Sequence, residues 1–271
     1  MLAAGRIDTV QAFLTMLPRN LVIVVALLVA EILCVPVTAS AQLKVIISGG
    51  FNAAYRELLP QFEAANGVTV TTTTGGSVGS GPSTIGAQIR RGAQADVVIL
   101  AREGLRELIA EQRIAAGTDV DLARSIIGMV VRSGAPKPDI STTEKLKQVL
   151  LQAKSVAVSS STSGVYLTTT LFPKLGIGEA MKAKTTMNGA ALVGRGEAEI
   201  GLQQVSEILP IPNTIFVGTI PEDIQYVTTY AGGIVAGSAN ASTASKLLAF
   251  LSSPAAAAAI TRSGMEPASR R

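Results

Sequence analysis

The chain has 271 residues, of which 15 % are charged, 4 % aromatic and 48 % apolar, with 26 glycines and no tryptophan; that is ample for a large core in one or two domains and unlike a disordered chain. There is no histidine, and the one cysteine, Cys34, lies in an N-terminal segment read below as removed, which excludes disulfides, thiol nucleophiles, His/Cys zinc sites and any Ser-His triad from the mature chain. The formal charge of +4 is scattered, without the basic block or interleaved aromatics of a nucleic-acid surface, so no nucleic-acid partner is expected.

Leu21–Ala30 (LVIVVALLVA) is an apolar run behind Arg19, and Ala39-Ser40-Ala41 follows as a small-x-small cleavage site. This predicts a secretory signal peptide over residues 1–41 and a periplasmic mature protein. Glu31 stops the apolar run at ten residues, against the roughly 20 that a membrane span needs. Cleavage removes Arg6, Arg19, Asp8 and Glu31, so the net charge is unchanged. A mild positive balance suits a small anionic ligand or no particular partner.

In the mature chain, Leu43–Ser48 reads as a strand ending in Gly49-Gly50, and 52–66 as a helix with Ala54, Leu58, Phe62 and Ala65 on one face and Gly67 as its stop. Val68–Thr74 reads as a second strand, residues 74–84 as a Gly/Ser loop, 84–91 as a helix, and Ala95–Leu100 as a strand whose unbroken Val/Ile/Leu run predicts burial on both faces. A strand that runs through a glycine loop into a helix start aims backbone N–H groups at a ligand. A helix is predicted over 103–112, a polar connection after it, and a strand over 125–132. The next helix covers 141–153, with Ser141 or Thr142 as its N-cap. Ser155–Val158 then runs into Ser159-Ser160-Ser161-Thr162-Ser163-Gly164 and a helix from about Val165, repeating the layout of residues 68–92. A helix over 189–196, strands over 198–203, 215–217 and 224–236, and helices over 240–252 and from Pro254 complete the chain. Arg195 falls at a helix C-terminus, and Tyr226 and Tyr230 read as packing residues at a hinge.

The stretches LKVIISGGFNAAYRELLPQFEAANGVTV, TGGS, GAQIRRGAQADVVIL, ALVGRGEAEIGL and ASKLLAFLSSPAAAAAITRSGMEP, in this order and spacing, resemble the periplasmic molybdate-type solute-binding proteins of ABC importers over the whole mature chain. The resemblance implies an α/β, two-lobed type II periplasmic-binding fold with a two-stranded hinge. Lobe one would be 42–123 with 238–271, lobe two 124–237, and the hinge crossings would lie near 125–130 and 226–234. It implies a small anionic ligand clamped between the lobes, ABC-importer membrane subunits as partners, no cofactor and no metal. Carried over by position, the ligand contacts would be Gly49, Gly50 and Phe51; Ser77 and Ser80; Ser160, Ser163, Gly164 and Tyr166; and Gln204. Gly50 stands where the family offers a serine, Gln204 where its oxyanion binders carry a tyrosine, and SVGSGPS is an insertion. These departures suit an organic carboxylate over a compact oxyanion. The resemblance also implies an alternative function, that of the periplasmic aconitate-isomerase-like proteins built on the same scaffold. It would need a base for proton abstraction, for which Glu207, Tyr166, a lysine or another carboxylate are the candidates.

Overall fold

The structure is a computed structural model that describes residues 42–79 and 81–268; the expected signal segment and Ser80 lie outside the described residues. The chain opens with β1 (Gln42–Ser48), α1 (Gly49–Asn66), β2 (Thr69–Gly75), α2 (Ile85–Arg90), β3 (Val97–Ala101), α3 (Arg102–Ala110) and β4 (Val120–Ser125). It then crosses to β5 (Ile127–Arg132), α4 (Thr143–Gln152), β6 (Val156–Val158) and α5 (Thr162–Tyr166), which runs on through a π-helical turn, Leu167–Leu171, into Phe172–Lys174. Next come α6 (Gly178–Lys182), β7 (Thr185–Thr186), α7 (Ala191–Arg195), β8 (Ile200–Gln204), α8 (Val205–Ile208) and β9 (Thr214–Thr219). The return brings β10 (Thr228–Ile234), α9 (Ala241–Leu251), α10 (Ala257–Arg262) and β11 (Glu266–Pro267).

Two sheets result, in the orders β11-β4-β10-β3-β1-β2 and β7-β6-β8-β5-β9. Strands β1, β2 and β3 are mutually parallel, as are β7, β6 and β8, while β10 and β5 run antiparallel to their neighbours. The period-two alternation of side chains sorts the first sheet's core into two faces. Leu43, Val45 and Ile47 of β1 pack with Phe51, Leu58 and Phe62 of α1 and Leu247 of α9, whereas Ile46 packs with Ile85 and Ile89 of α2 and Leu105 of α3. Strand β3 is buried at all five positions, as its unbroken apolar run requires. The second sheet is covered on one face by Leu146 and Leu150 of α4 with Leu167 and Leu171, and on the other by Leu192 and Val193 of α7 and Ile208 of α8.

Three expectations change. Gly49 and Gly50 form the first turn of α1 rather than a strand end, with Ser48 as its extended N-cap residue. The connection before residue 125 contains β4, whose half-buried, partly polar VDLARS lacks the continuous apolar signature of the other strands. Residues 228–234, expected in lobe two, pair with β3 and β4 and so lie in the first sheet. By sheet membership the first lobe takes 42–125 and 228–268, and the second 127–219. The two crossings are tied by Gln225: its Oε1 accepts from Ile127 N at 2.8 Å, and its Nε2 donates to Ile127 O at 3.0 Å and Ile220 O at 3.2 Å.

Candidate functional site

The carboxyl ends of β1, β2, β6 and β8 face one another across the gap between the sheets, the place where open α/β sheets hold ligands. A cavity of about 380 Å³ lies there, lined from the first lobe by Ser48, Gly49, Gly75, Gly76 and Tyr230, and from the second by residues 159–163, 187–189, Gln203, Gln204 and Glu207. No lysine or arginine is among these lining residues. What faces the cavity is the start of α1 on one side and the start of α5 on the other, and the first-turn N–H groups of a helix have no partner within it. Each helix terminus favours an anion by about 0.3–1 kcal/mol, up to about 2 kcal/mol where partly buried.

The second-lobe rim is shaped by its serines. Ser159 Oγ accepts from Gly164 N at 3.2 Å and lies 3.1 Å from Ser163 Oγ, which folds the 159–164 stretch over the start of α5. Gly164 is required there, because a Cβ would overlap the Ser159 carbonyl. Ser161 reaches across the gap: its Oγ accepts from Ser77 N at 2.9 Å and Val78 N at 3.5 Å, so the lobes are latched in a closed arrangement. A second cross-lobe tie runs through Tyr226, which donates to Glu103 Oε1 at 3.0 Å and stacks on Tyr166 with ring centroids 4.8 Å apart.

Two polar atoms in the cavity wall stand out. Thr162 Oγ1 and Gln204 Oε1 are buried, their residues 7 % and 1 % exposed, and neither has a hydrogen-bond partner among the described residues. Gln204, a residue of the cavity wall, has its Nε2 held by Thr228 Oγ1 at 2.7 Å.

Glu207 and Tyr230 complete the wall, and both are packed over the start of α1. A Cβ on Gly49 would lie 2.6 Å from Glu207 Oε1, and one on Gly50 would overlap the Tyr230 hydroxyl. The consecutive glycines therefore make room for a carboxyl and a phenol at neighbouring positions. Burial pushes the Glu207 carboxyl up to about 7, against a smaller opposing effect of a hydrogen bond with Gln203. Burial first, then the nearby Glu207 charge, raises the Tyr230 phenol well above its usual value, so it stays protonated; a hydrogen bond with Ser48 works the other way.

A family model described as bacterial extracellular solute-binding protein matches residues 43–266. The chain belongs to that family. An aconitate isomerase from Pseudomonas sp is 41 % identical to it over 246 residues, covering 89 % of this chain and 94 % of the relative. The molybdate-binding protein ModA of Escherichia coli is 27 % identical over 233 residues, covering 82 % and 88 %. Among solved structures, the periplasmic molybdate-binding protein of Azotobacter vinelandii superposes with a TM-score of 0.67 at 21 % identity, over 84 % of this chain and 100 % of that one. A phospholactate-bound PEB3 superposes at 0.58 with 14 % identity, over 83 % and 99 %. The two-lobed type II periplasmic-binding fold is thus shared with its solved neighbours.

Within this solute-binding fold the residues expected at the ligand separate into two groups. Gly49, Ser160, Ser163 and Gln204 line the cavity. Gly50 is buried against Tyr230 and Phe51 is fully enclosed in the first-lobe core. The Ser77 hydroxyl turns away, accepting from Ala101 N at 2.9 Å, which pins the glycine loop to the end of β3. Gly164 supports the rim, and the Tyr166 hydroxyl donates to Ile224 O at 2.9 Å beside the hinge. Ser80 lies outside the described residues. Within the insertion, Ser77 and Val78 meet the opposite lobe through Ser161, and a Cβ on Gly79 would lie 3.3 Å from the Ser160 carbonyl oxygen. Arg195, at the end of α7, pairs with Glu197 and does not line the cavity. Tyr230, expected as hinge packing, lines the cavity instead.

Proposed function

We propose that the protein is an exported, cofactor-independent isomerase of a small unsaturated polycarboxylate, of the aconitate type, built on a solute-binding clamp. Glu207 carries this reading: it is a carboxyl, held at about 7, in the wall of a cavity otherwise lined by amides, hydroxyls and small side chains. A clamp that only binds an anion needs no carboxyl there, since helix termini, amides and hydroxyls already supply donors. Proton abstraction beside a carboxylate needs a base of this pKa. The aconitate isomerase relative supports the same conclusion.

Aconitate carries one carboxylate on each carbon of a propene. Glu207 takes a proton from the methylene carbon; the C–H bond breaks and its electron pair joins the double bond as an allyl carbanion, delocalised onto carboxylate oxygen. The Glu207 acid returns a proton to the other terminal carbon, where a new C–H bond forms. The double bond has moved one position, and because the two terminal carbons bear the same groups, the constitution is unchanged. The rotamer held about the former single bond becomes the new cis or trans geometry. No electrons leave or enter. The clamp's part is to fix that rotamer: the starts of α1 and α5 take terminal carboxylates, and Thr162 and Gln204 take the remaining polar contacts. The Thr228 hydroxyl can accept or donate, so the Gln204 amide can face the ligand with either end, and an anion selects the NH₂.

The second reading, a binder that delivers the same acid to importer subunits, is favoured by the Ser161 latch, since a closed clamp is what such subunits would recognise. Both readings make the ligand a carboxylate. Thermal shift of the purified protein tests that. At 100 times Kd a ligand adds about 2.7 kcal/mol, or roughly 5–11 °C for a chain of this size. Aconitate is expected to produce such a shift and molybdate to produce little; the reverse order returns the site to an oxyanion role.

A further inference from the structure

We infer that the Tyr230 hydroxyl is a catalytic hydrogen-bond donor, placed to hold the carboxylate oxygen that gains charge when Glu207 removes the proton. This rests on the isomerase reading above. The geometry brings the two groups to adjacent positions from different lobes: Glu207 from α8 of the second lobe sits over Gly49, and Tyr230 from β10 of the first sits over Gly50. Both line the cavity. A substrate whose methylene carbon reaches Glu207 can place the adjoining carboxylate against Tyr230.

The need for such a donor follows from the lining. Proton transfer moves the negative charge from Glu207 onto the substrate, as an allyl carbanion spread onto carboxylate oxygen, in a cavity whose lining residues include no lysine or arginine and no other phenol. Helix-terminus amides already serve the carboxylates of the ground state. A donor that matters chiefly when the charge develops accelerates the reaction, whereas one that binds substrate and transition state alike does not. Tyr230 is suited to it: the side chain is 2 % exposed and locked between Gly50 and its own strand, and its phenol remains protonated over the working pH range. Ser48 hydrogen-bonds with the phenol oxygen, and if the serine donates, the phenol proton is free for the ligand. The balance of the step is unaltered, because Tyr230 lends a hydrogen bond and gives up no proton.

The test is Tyr230→Phe in the purified protein, with wild type alongside. Isomerisation of aconitate is followed by proton NMR in D₂O, together with calorimetric affinity for the same acid. Losing one preorganised oxyanion donor is expected to lower kcat by about 10²–10³-fold, with KM and Kd changed less than about threefold. Deuterium exchange at the methylene should fall in step with isomerisation, because both pass through the same carbanion. A kcat within threefold of wild type overturns the inference. So does methylene exchange that persists while isomerisation stops, which would make Tyr230 the proton donor to carbon. A parallel loss of affinity, melting temperature and kcat would make Tyr230 structural and overturn it as well. Wild type that binds the acid without converting it would remove the isomerase reading, and the catalytic role of Tyr230 with it; an active wild type beside an unaffected variant would remove only the latter.

Discussion

Glu207→Gln is expected to lower isomerisation by about 10²–10⁴-fold, the usual weight of a general base, while making the protein more stable at alkaline pH. The sign follows from burial. Glu207 is raised from 4.5 to about 7 in the folded chain, so in the unfolded chain it ionises first. Stability is unaffected below about pH 4.5, where both states hold the proton, and declines as pH rises toward about 7. At about 1.4 kcal/mol per pH unit, the full loss is about 3 kcal/mol. Glutamine has the shape of the protonated acid and suffers no such loss. Wild type and variant should therefore melt together near pH 4.5, and the variant should melt higher at pH 8. A variant that melts lower at pH 8 would mean that the carboxylate is stabilised by a partner, contrary to this reading. The same value makes wild-type kcat/KM rise with pH through about 7 and then level off.

Gly50→Ala is the second large effect. The added Cβ would occupy the position of the Tyr230 hydroxyl and crowd its ring, which is enclosed by the first-lobe core. Neither partner can yield easily: one is backbone in the first turn of an 18-residue helix and the other a buried ring. Overpacking of this kind costs about 1–3 kcal/mol, occasionally more, or roughly 2–12 °C in Tm. The displaced phenol and the neighbouring Glu207 should take activity down with it. Gly81→Ala is the control: its Cβ would meet nothing nearer than Ser83 Oγ at 4.0 Å, and its Tm and turnover should match wild type. A Gly50→Ala protein with wild-type melting and turnover would mean that Tyr230 is not where the site needs it.

The legible parts of this molecule were those written in local pattern. The unbroken apolar run of β3, the helical spacing of Ala54, Leu58 and Phe62, and the strand–serine–helix sequence at 156–166 each carry their structure in a few adjacent residues. The partial failures involve partners distant in sequence. Gly49-Gly50 look like a break because glycine is a poor helix former, yet they begin α1, and the reason lies in Glu207 and Tyr230, far along the chain. Strand β4 is polar enough to read as a connection, and its pairing with β10 cannot be inferred from its own residues. Ser77 was legible as part of the glycine loop but not the direction of its hydroxyl, which is set by Ala101 N on β3. A signal was available for Glu207: an acidic side chain just beyond the AEIGLQQ strand, where strand ends gather to form a cleft. Nothing local marks Tyr230, because its role depends on both lobes being in place.

On the proposed mechanism this clamp moves a proton and does not merely hold its ligand. The most direct measurement is proton NMR of trans-aconitate incubated with the purified protein in D₂O at pD about 8, where Glu207 is ionised. Appearance of cis-aconitate with deuterium at carbon positions of the acid is expected, both slowed by at least about 10²-fold in Glu207→Gln. Tight binding of trans-aconitate with neither interconversion nor deuterium incorporation would contradict it.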